Sequence, residues 1–186
     1  MTMYLRTSEV IGLPVVTING GEDVAEVRDV VYSSETGTLL GFTLNKRGFL
    51  SGRMRAVLPA TSIAAIGQHA VMVENEDDAL TDRADAPDAM ASPAADRNVL
   101  QNAVMTEGGT RLGTVTDLVL AAGGRGEIVG YELRREDTKE PWFIPRPTQV
   151  AVSGDALLVP DRFEQYVSHD LSGFALAADR YRAEGA

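Results

Sequence analysis

Two stretches of this chain carry one pattern twice, and that repetition limits the possible fold more than any other feature. GEDVAEVRDVVYSSETGTLLGFTL (21–44) matches GTRLGTVTDLVLAAGGRGEIVGYEL (109–133). Asp29 aligns with Asp117, each followed by apolar residues, and after a turn Gly41-Phe42 aligns with Gly130-Tyr131. Further on, VLPATSIAAIGQHAVMV (57–73) matches FIPRPTQVAVSGDALLV (143–159), with Pro59 over Pro145. Apolar residues, turns and prolines recurring together predict one small unit built twice.

Within each copy the apolar period is close to two. Val24, Val27, Val30 and Tyr32 lead into a turn at 33–37, and the run 39–44 follows it. Short β-branched runs separated by Thr-Gly and Gly-Gly turns predict hairpins. Pro59 has no N–H to give a ladder, so it fits the end of a strand. Residues 70–74 and 156–160 read as closing strands, reached through Gly67 and Gly154. Five or six strands per copy predict an all-β chain of two small barrels in tandem, over 1–75 and 98–170. Closure hides strand edges that would otherwise pair with neighbours.

Residues 76–97 are rich in Ala, Asp and Pro and poor in large apolar groups. Such a segment buries too little to join a core and is expected to be an acidic linker. Thr81 or Asp82 can cap one helical turn there. In the tail, 171–186, Phe174, Leu176, Ala177 and Tyr181 fall at roughly helical spacing. A short amphipathic helix packed on a barrel fits that spacing, and so does a dimerisation or partner-docking segment.

Composition removes several chemistries. There is no cysteine, which excludes disulfides, thiolate zinc sites and cysteine nucleophiles. The two histidines, His69 and His169, have no carboxylate pairs at ligand spacing, so neither a metal site nor any other cofactor is expected. Ser168-His169-Asp170 is consecutive in sequence, whereas triads are assembled in space. Paired glycines such as Gly20-Gly21 and Gly108-Gly109 lack the Lys-Ser/Thr of a P-loop and the spacing of a dinucleotide fingerprint. No residue is therefore assigned a catalytic role, and the chain is expected not to be an enzyme.

The net charge of −10 lies mostly in 76–97 and the second half, which disfavours bulk attraction to phosphate backbones and makes DNA an unexpected partner. No apolar run approaches the ~20 residues that span a bilayer. The start MTMYLRTSEV lacks a secretory signal, so a soluble cytoplasmic protein is expected.

The string VIGLPVVTINGGEDVAEVRDVVYSSETGTLLGFTL (10–44) resembles the opening of a PRC-barrel domain. That pattern runs as Gly-x-x-Val, a loop, then Gly-x-Val-x-Asp, an apolar strand, a turn and a Gly-led strand. Gly113-Thr114-Val115-Thr116-Asp117 keeps the central motif intact, whereas the first copy has Ala25 in place of its glycine. The second copy has VLQNAVMT (99–106) where Gly-x-x-Val is expected. The resemblance implies a small β-barrel in each half. The family includes the cytoplasmic part of the photosynthetic reaction-centre H subunit and the C-terminal domain of RimM-type ribosome maturation factors. Neither is an enzyme through this domain, and fold alone does not carry function. The implied role is a protein-binding adaptor, and a homodimer is the commonest assembly for such a chain.

Two places offer partner-binding groups. Lys46, Arg47, Arg53 and Arg55 surround Phe49 in a predicted hairpin loop. Cations interleaved with an exposed aromatic can hold phosphate and stack a base, which makes RNA or the ribosome an alternative partner. The other reading is a solvated loop whose arginines pair with acids elsewhere. The matching loop of the second copy, 134–140, alternates in sign and suits a polyanion less. Trp142, the single tryptophan, is either a barrel-end filler or, if exposed, a protein anchor. Asp29 and Asp117 are expected to accept hydrogen bonds from turn amides at the start of a hairpin. With Gly41, Pro59, Gly113, Gly130 and Pro145 they form the structural motif of the repeat.

Overall fold

The computed structural model describes residues 2–33, 36, 38–48, 52–86, 90, 99–123, 125–148, 151–153 (backbone only) and 156–184. The chain divides into two compact units, Met1–Asp96 with Ala121–Glu127 and Arg97–Leu120 with Ile128–Ala186.

The first copy holds β1 (Met3–Arg6), a single helical turn α1 (Thr7–Val10), β2 (Pro14–Thr17), β3 (Asp23–Tyr32), β4 (Leu39–Asn45) and β5 (Arg53–Pro59). It continues through β6 (Ala65–Ile66), β7 (Val71–Val73), the turn α2 (Glu76–Ala79) and β8 (Thr81–Asp82). Its sheet runs β6-β7-β2-β3-β4-β5-β8 and curls into a half-barrel. Val15, Val27, Phe42, Leu44, Leu58 and Val71 fill the inside and are almost fully buried.

The second copy repeats this order with β9 (Ala103–Thr106), β10 (Arg111–Ala122), β11 (Glu127–Arg134), β12 (Trp142–Pro145), β13 (Ala151–Ser153) and β14 (Ala156–Val159). The path is β13-β14-β9-β10-β11-β12. In each copy one pairing is parallel, β2 with β7 and β9 with β14, placing Val15 opposite Val71 and Val104 opposite Leu157. The cross-strand partners also match. Gly41 faces Pro59 and Phe42 faces Leu58; Gly130 faces Pro145 and Tyr131 faces Ile144.

Local chemistry repeats with the register. Thr17 Oγ1 accepts from the Glu22 N–H at 3.0 Å, and Thr106 Oγ1 accepts from the Thr110 N–H at 3.1 Å. These buried hydroxyls close the tight turns into β3 and β10, satisfying amides the ladder leaves out. Each long strand bulges at the same place: Val24 and Leu112 are skipped when β3 pairs with β2 and β10 with β9. A further shift between Val27 and Asp29 explains why the apolar spacing of β3 departs from a strict period of two, since a bulge moves later residues to the other face.

The described part of the expected linker, residues 76–86 and 90, adds a strand and buried side chains to the first copy. β8 adds to the edge of β5, pairing Ala56 with Asp82 and Val57 with Thr81. Ala86 and Met90 join the cluster of Val31 and Val57, and Met90 is 1% exposed. The expectation that this segment has no share in a core is corrected at Ala79, Ala86 and Met90. The reason lies at Gly41, where a Cβ would lie 2.6 Å from Met90 Cε and would strike Leu58 O. A bare glycine on β4 thus leaves the hollow that one long, flexible side chain fills.

Gly130, the counterpart of Gly41, is covered the same way by the tail. Helix α3 (Leu171–Ala183) places the Phe174 ring where a Gly130 Cβ would be, with Ile144 O only 2.6 Å from that point. Asp170 caps α3 by accepting from the Gly173 N–H at 2.6 Å. The buried face of α3 is Phe174, Ala177, Ala178 and Tyr181; Leu176, assigned to that face from spacing, is 69% exposed. A 3₁₀ segment, Asp161–Tyr166, sets Phe163 and Tyr166 against Tyr181 with ring centroids 5.1–5.7 Å apart. No helix among the described residues is long and apolar enough to cross a membrane.

Candidate functional site

The loop after β4 opens beside the start of β3, in a polar hollow of about 270 Å³ lined by Glu26, Asn45, Lys46, Arg47, Gly48 and Gly52. Its backbone closes through the Lys46 N–H, which donates to Gly52 O at 2.8 Å. The Arg47 guanidinium is held by two carboxylates of β3, donating to Asp23 and, at 2.9 Å, to Glu26 Oε2. The hydrogen bond to Asp23 raises Arg47 further above its ordinary value, with Glu26 acting the same way. Arg53 and Arg55 lie exposed on β5, and Lys46 is exposed beside Arg47. The structure thus brings Lys46 and Arg47 together in one cleft. Phe49, the aromatic of the expected patch, lies outside the described residues.

The second copy carries a cleft at the same place, about 210 Å³, lined by Arg111, Gly113, Arg134, Arg135, Glu136 and Asp137. Arg135 forms a two-pronged pair with Asp137, both contacts 2.7 Å, which lowers the Asp137 carboxyl below its usual value. The same guanidinium lies over the Trp142 ring, 4.2 Å from its centroid. Arg111 donates to Thr114 Oγ1 at 3.1 Å and stands 3.6 Å from Glu136 Oε1. The Arg134 guanidinium has no hydrogen bond or ion pair among the described residues.

Trp142 is half-buried at the start of β12, between Arg135 and the edge of His169, whose ring centroid is 5.3 Å away. Its neighbour Phe143 exchanges backbone hydrogen bonds with Ser168, at 2.8 and 3.0 Å. Ser168, His169 and Asp170 therefore serve three separate structural purposes: a bridge to β12, a ring against Trp142 and a helix cap. Among the described residues, no three His, Asp or Glu side chains converge as a metal set.

The motif residues are scaffold. Gly41, Pro59, Gly130 and Pro145 are the paired positions under Met90 and Phe174 described above. Gly113 replaces Ala25 opposite Val104 next to the bulge. Asp117 is 8% exposed and accepts from the Leu118 N–H at 2.8 Å. Asp29 stands opposite Thr43 and 4.0 Å from Arg28 Nε. Both sit within the long strands and not ahead of them, and the amide Asp117 satisfies belongs to its own strand.

Three residues escaped the sequence reading. Asp23 and Glu26 neutralise Arg47, and Arg111 brings a third guanidinium to the second cleft. The signal was present in the alignment itself. Asp23 and Arg111 share one position, as do Arg47 and Glu136, so the charges of a facing pair are exchanged between copies.

No curated protein matches the chain. The PRC-barrel domain family matches residues 3–80 and again residues 94–166, the two halves that repeat the same strand order. By that double match, and by the duplicated half-barrel that carries it, the chain belongs to the PRC-barrel domain family.

Proposed function

We propose that this protein is a non-enzymatic interaction module, an adaptor that offers two chemically different versions of one loop cleft. A single observation carries the reading: the clefts after β4 and β11 occupy the same place on matched scaffolds but expose different charges. A duplicated frame with divergent loops separates binding from folding, because the loops change without disturbing the buried registers. Family membership supports a module of this kind and names no partner.

The RNA or ribosome reading draws on Lys46, Arg47, Arg53 and Arg55. Arg47 is committed to Asp23 and Glu26, so fewer free cations face a polyanion than the sequence suggests. That pairing weighs towards a protein partner.

The test is affinity capture with the full chain, identification of the captured protein, and binding of that purified protein to variants. Lys46→Ala/Arg47→Ala and Arg111→Ala/Arg134→Ala empty one cleft each. Loss of the identified partner in either variant supports the adaptor reading. Equal binding by both variants, or turnover of a small molecule by the purified chain, would sink it.

A further inference from the structure

We propose that the second cleft is a binding site for a small phosphoryl dianion, either inorganic phosphate or a phosphate monoester. The proposal deepens the adaptor reading by giving one of its two clefts a ligand class. Three guanidinium groups, Arg111, Arg134 and Arg135, line the hollow against two carboxylates, Glu136 and Asp137, leaving a positive surplus. In the first cleft Lys46 and Arg47 stand against Glu26 of the lining and Asp23 beside it, the two carboxylates that hold Arg47, so the charges there balance.

Each arginine stands in a different state. Arg135 is already ordered, fixed by Asp137 on one side and stacked on Trp142 on the other. Such preorganisation lowers the cost of presenting its remaining donors. Arg134 is exposed and unpaired among the described residues, so its fork is available without breaking a contact. Arg111 meets Glu136 only at 3.6 Å, and the Glu136 side chain is 91% exposed. An exposed pair at that distance is worth little, so an incoming dianion displaces Glu136 readily. A planar fork matches two oxygens of a phosphoryl group, which favours arginine over lysine at such a site. The hollow of about 210 Å³ admits one such group and not a folded chain.

The molecule carries its own reporter. Trp142 is the single tryptophan and touches Arg135, so an anion held by Arg135 changes its fluorescence. The experiment titrates the full chain with inorganic phosphate and, separately, with O-phosphoserine, at constant ionic strength maintained with chloride. Sulfate and succinate serve as controls of shape and charge. The expected result is a saturable change with phosphate or phosphoserine, weakened about tenfold in Arg134→Ala and again in Arg111→Ala. Arg134→Lys, which keeps the charge and loses the fork, is expected to weaken it as well. Phosphoserine binding more tightly than phosphate identifies a monoester ligand; the reverse order identifies the free ion. Circular dichroism of each variant establishes that it is folded, and Arg134→Lys stands in if an alanine variant is not. The proposal fails if phosphate and phosphoserine give no saturable change beyond chloride. It also fails if succinate matches them, or if folded Arg134 and Arg111 variants bind as the parent does. Any of these results leaves the capture experiment on the adaptor reading unaffected.

Discussion

Arg47 and Glu136 occupy the same loop position in the two copies, carry opposite charges, and each faces an opposite charge at the matched strand position. Arg47 bonds Asp23, and Glu136 approaches Arg111. The pair has been inverted while its place in the strand and loop was kept, closer in the first copy than in the second. The inverted pair keeps opposite charges facing each other between loop and strand, while the sign on each side varies between copies. The sign then sets what the cleft can hold.

Inverting the first pair experimentally follows directly. Arg47→Glu is expected to lower the thermal midpoint, because Asp23 and Glu26 then face a third carboxylate. The triple variant Asp23→Arg/Glu26→Thr/Arg47→Glu reproduces the second copy's arrangement and is expected to recover most of the loss. Differential scanning calorimetry at low salt and at about 1 M salt, where the Debye length is ~3 Å, separates the effects. If the loss in Arg47→Glu persists at high salt, the cause is not the charge.

Met90 tests whether residues 76–97 belong to the first barrel. A tether with no packed residue would tolerate Met90→Ala with no change in stability. Because Met90 is 1% exposed and covers Gly41, the substitution is expected to cost about 2 kcal/mol or more by denaturant unfolding. Phe174→Ala is the matching change in the second copy, expected to cost ~3 kcal/mol or more. Gly130→Ala forces a methyl group against both the Phe174 ring and Ile144 O, and overpacking of this kind costs about 1–3 kcal/mol. Because the carbonyl remains in the way, adding Phe174→Ala to Gly130→Ala is not expected to restore the parent.

Gln101 stands where the first copy has Gly12. Both precede the matched strands, and the hydrogen bonds agree: the Gly12 N–H donates to Val27 O at 2.8 Å and the Gln101 N–H to Val115 O at 2.9 Å. Both also take a left-handed backbone, φ 89° at Gly12 and 74° at Gln101. For a residue with a Cβ that conformation costs roughly 1–2 kcal/mol. Gln101→Gly is therefore expected to stabilise the protein by ~0.5–1 kcal/mol, the remainder being lost to the freer unfolded chain. Gly12→Ala is expected to have the opposite sign. A destabilised Gln101→Gly variant, measured by chemical unfolding, would show that the Gln101 side chain makes a contribution larger than its backbone strain.

The repeat, most of its strands and the recurring Gly41, Pro59, Gly130 and Pro145 were legible in the sequence because each rests on a residue type that announces itself. Proline stops a ladder at Pro59 and Pro145, and a glycine faces it across the sheet. The bulges at Val24 and Leu112 were not legible, because a skipped residue there is an ordinary apolar one. Met90 was hidden for a related reason. Its segment is polar on average, and the hollow it fills is made by Gly41, far away in sequence. That acids elsewhere could pair with the basic loop was readable, but which acids hold Arg47 follows from the β3–β4 register, which brings Asp23 and Glu26 beside it. Residue identity names a candidate cation; register decides whether it is free.

Two phenols couple stability to alkaline pH. The hydrogen bond to Glu184 raises Tyr166 above the ordinary phenol value of 10.0, with burial and the nearby carboxylate charge adding to it. Burial raises Tyr131, partly offset by Arg146. In both cases the fold favours the neutral, protonated form. A value raised on folding gives stability that is complete below the unfolded value, about 10, and is lost as pH climbs through the folded one. On account of these two groups, unfolding is expected to become easier as pH rises above about 10. Glu184→Gln keeps an acceptor beside Tyr166 and removes the charge, so it is expected to shift that tyrosine's titration downward. Spectroscopic titration of tyrosinate in the parent and the variant reads this directly. Coincident titration curves would show that the Glu184 charge does not act on Tyr166, leaving the hydrogen bond and burial as the causes.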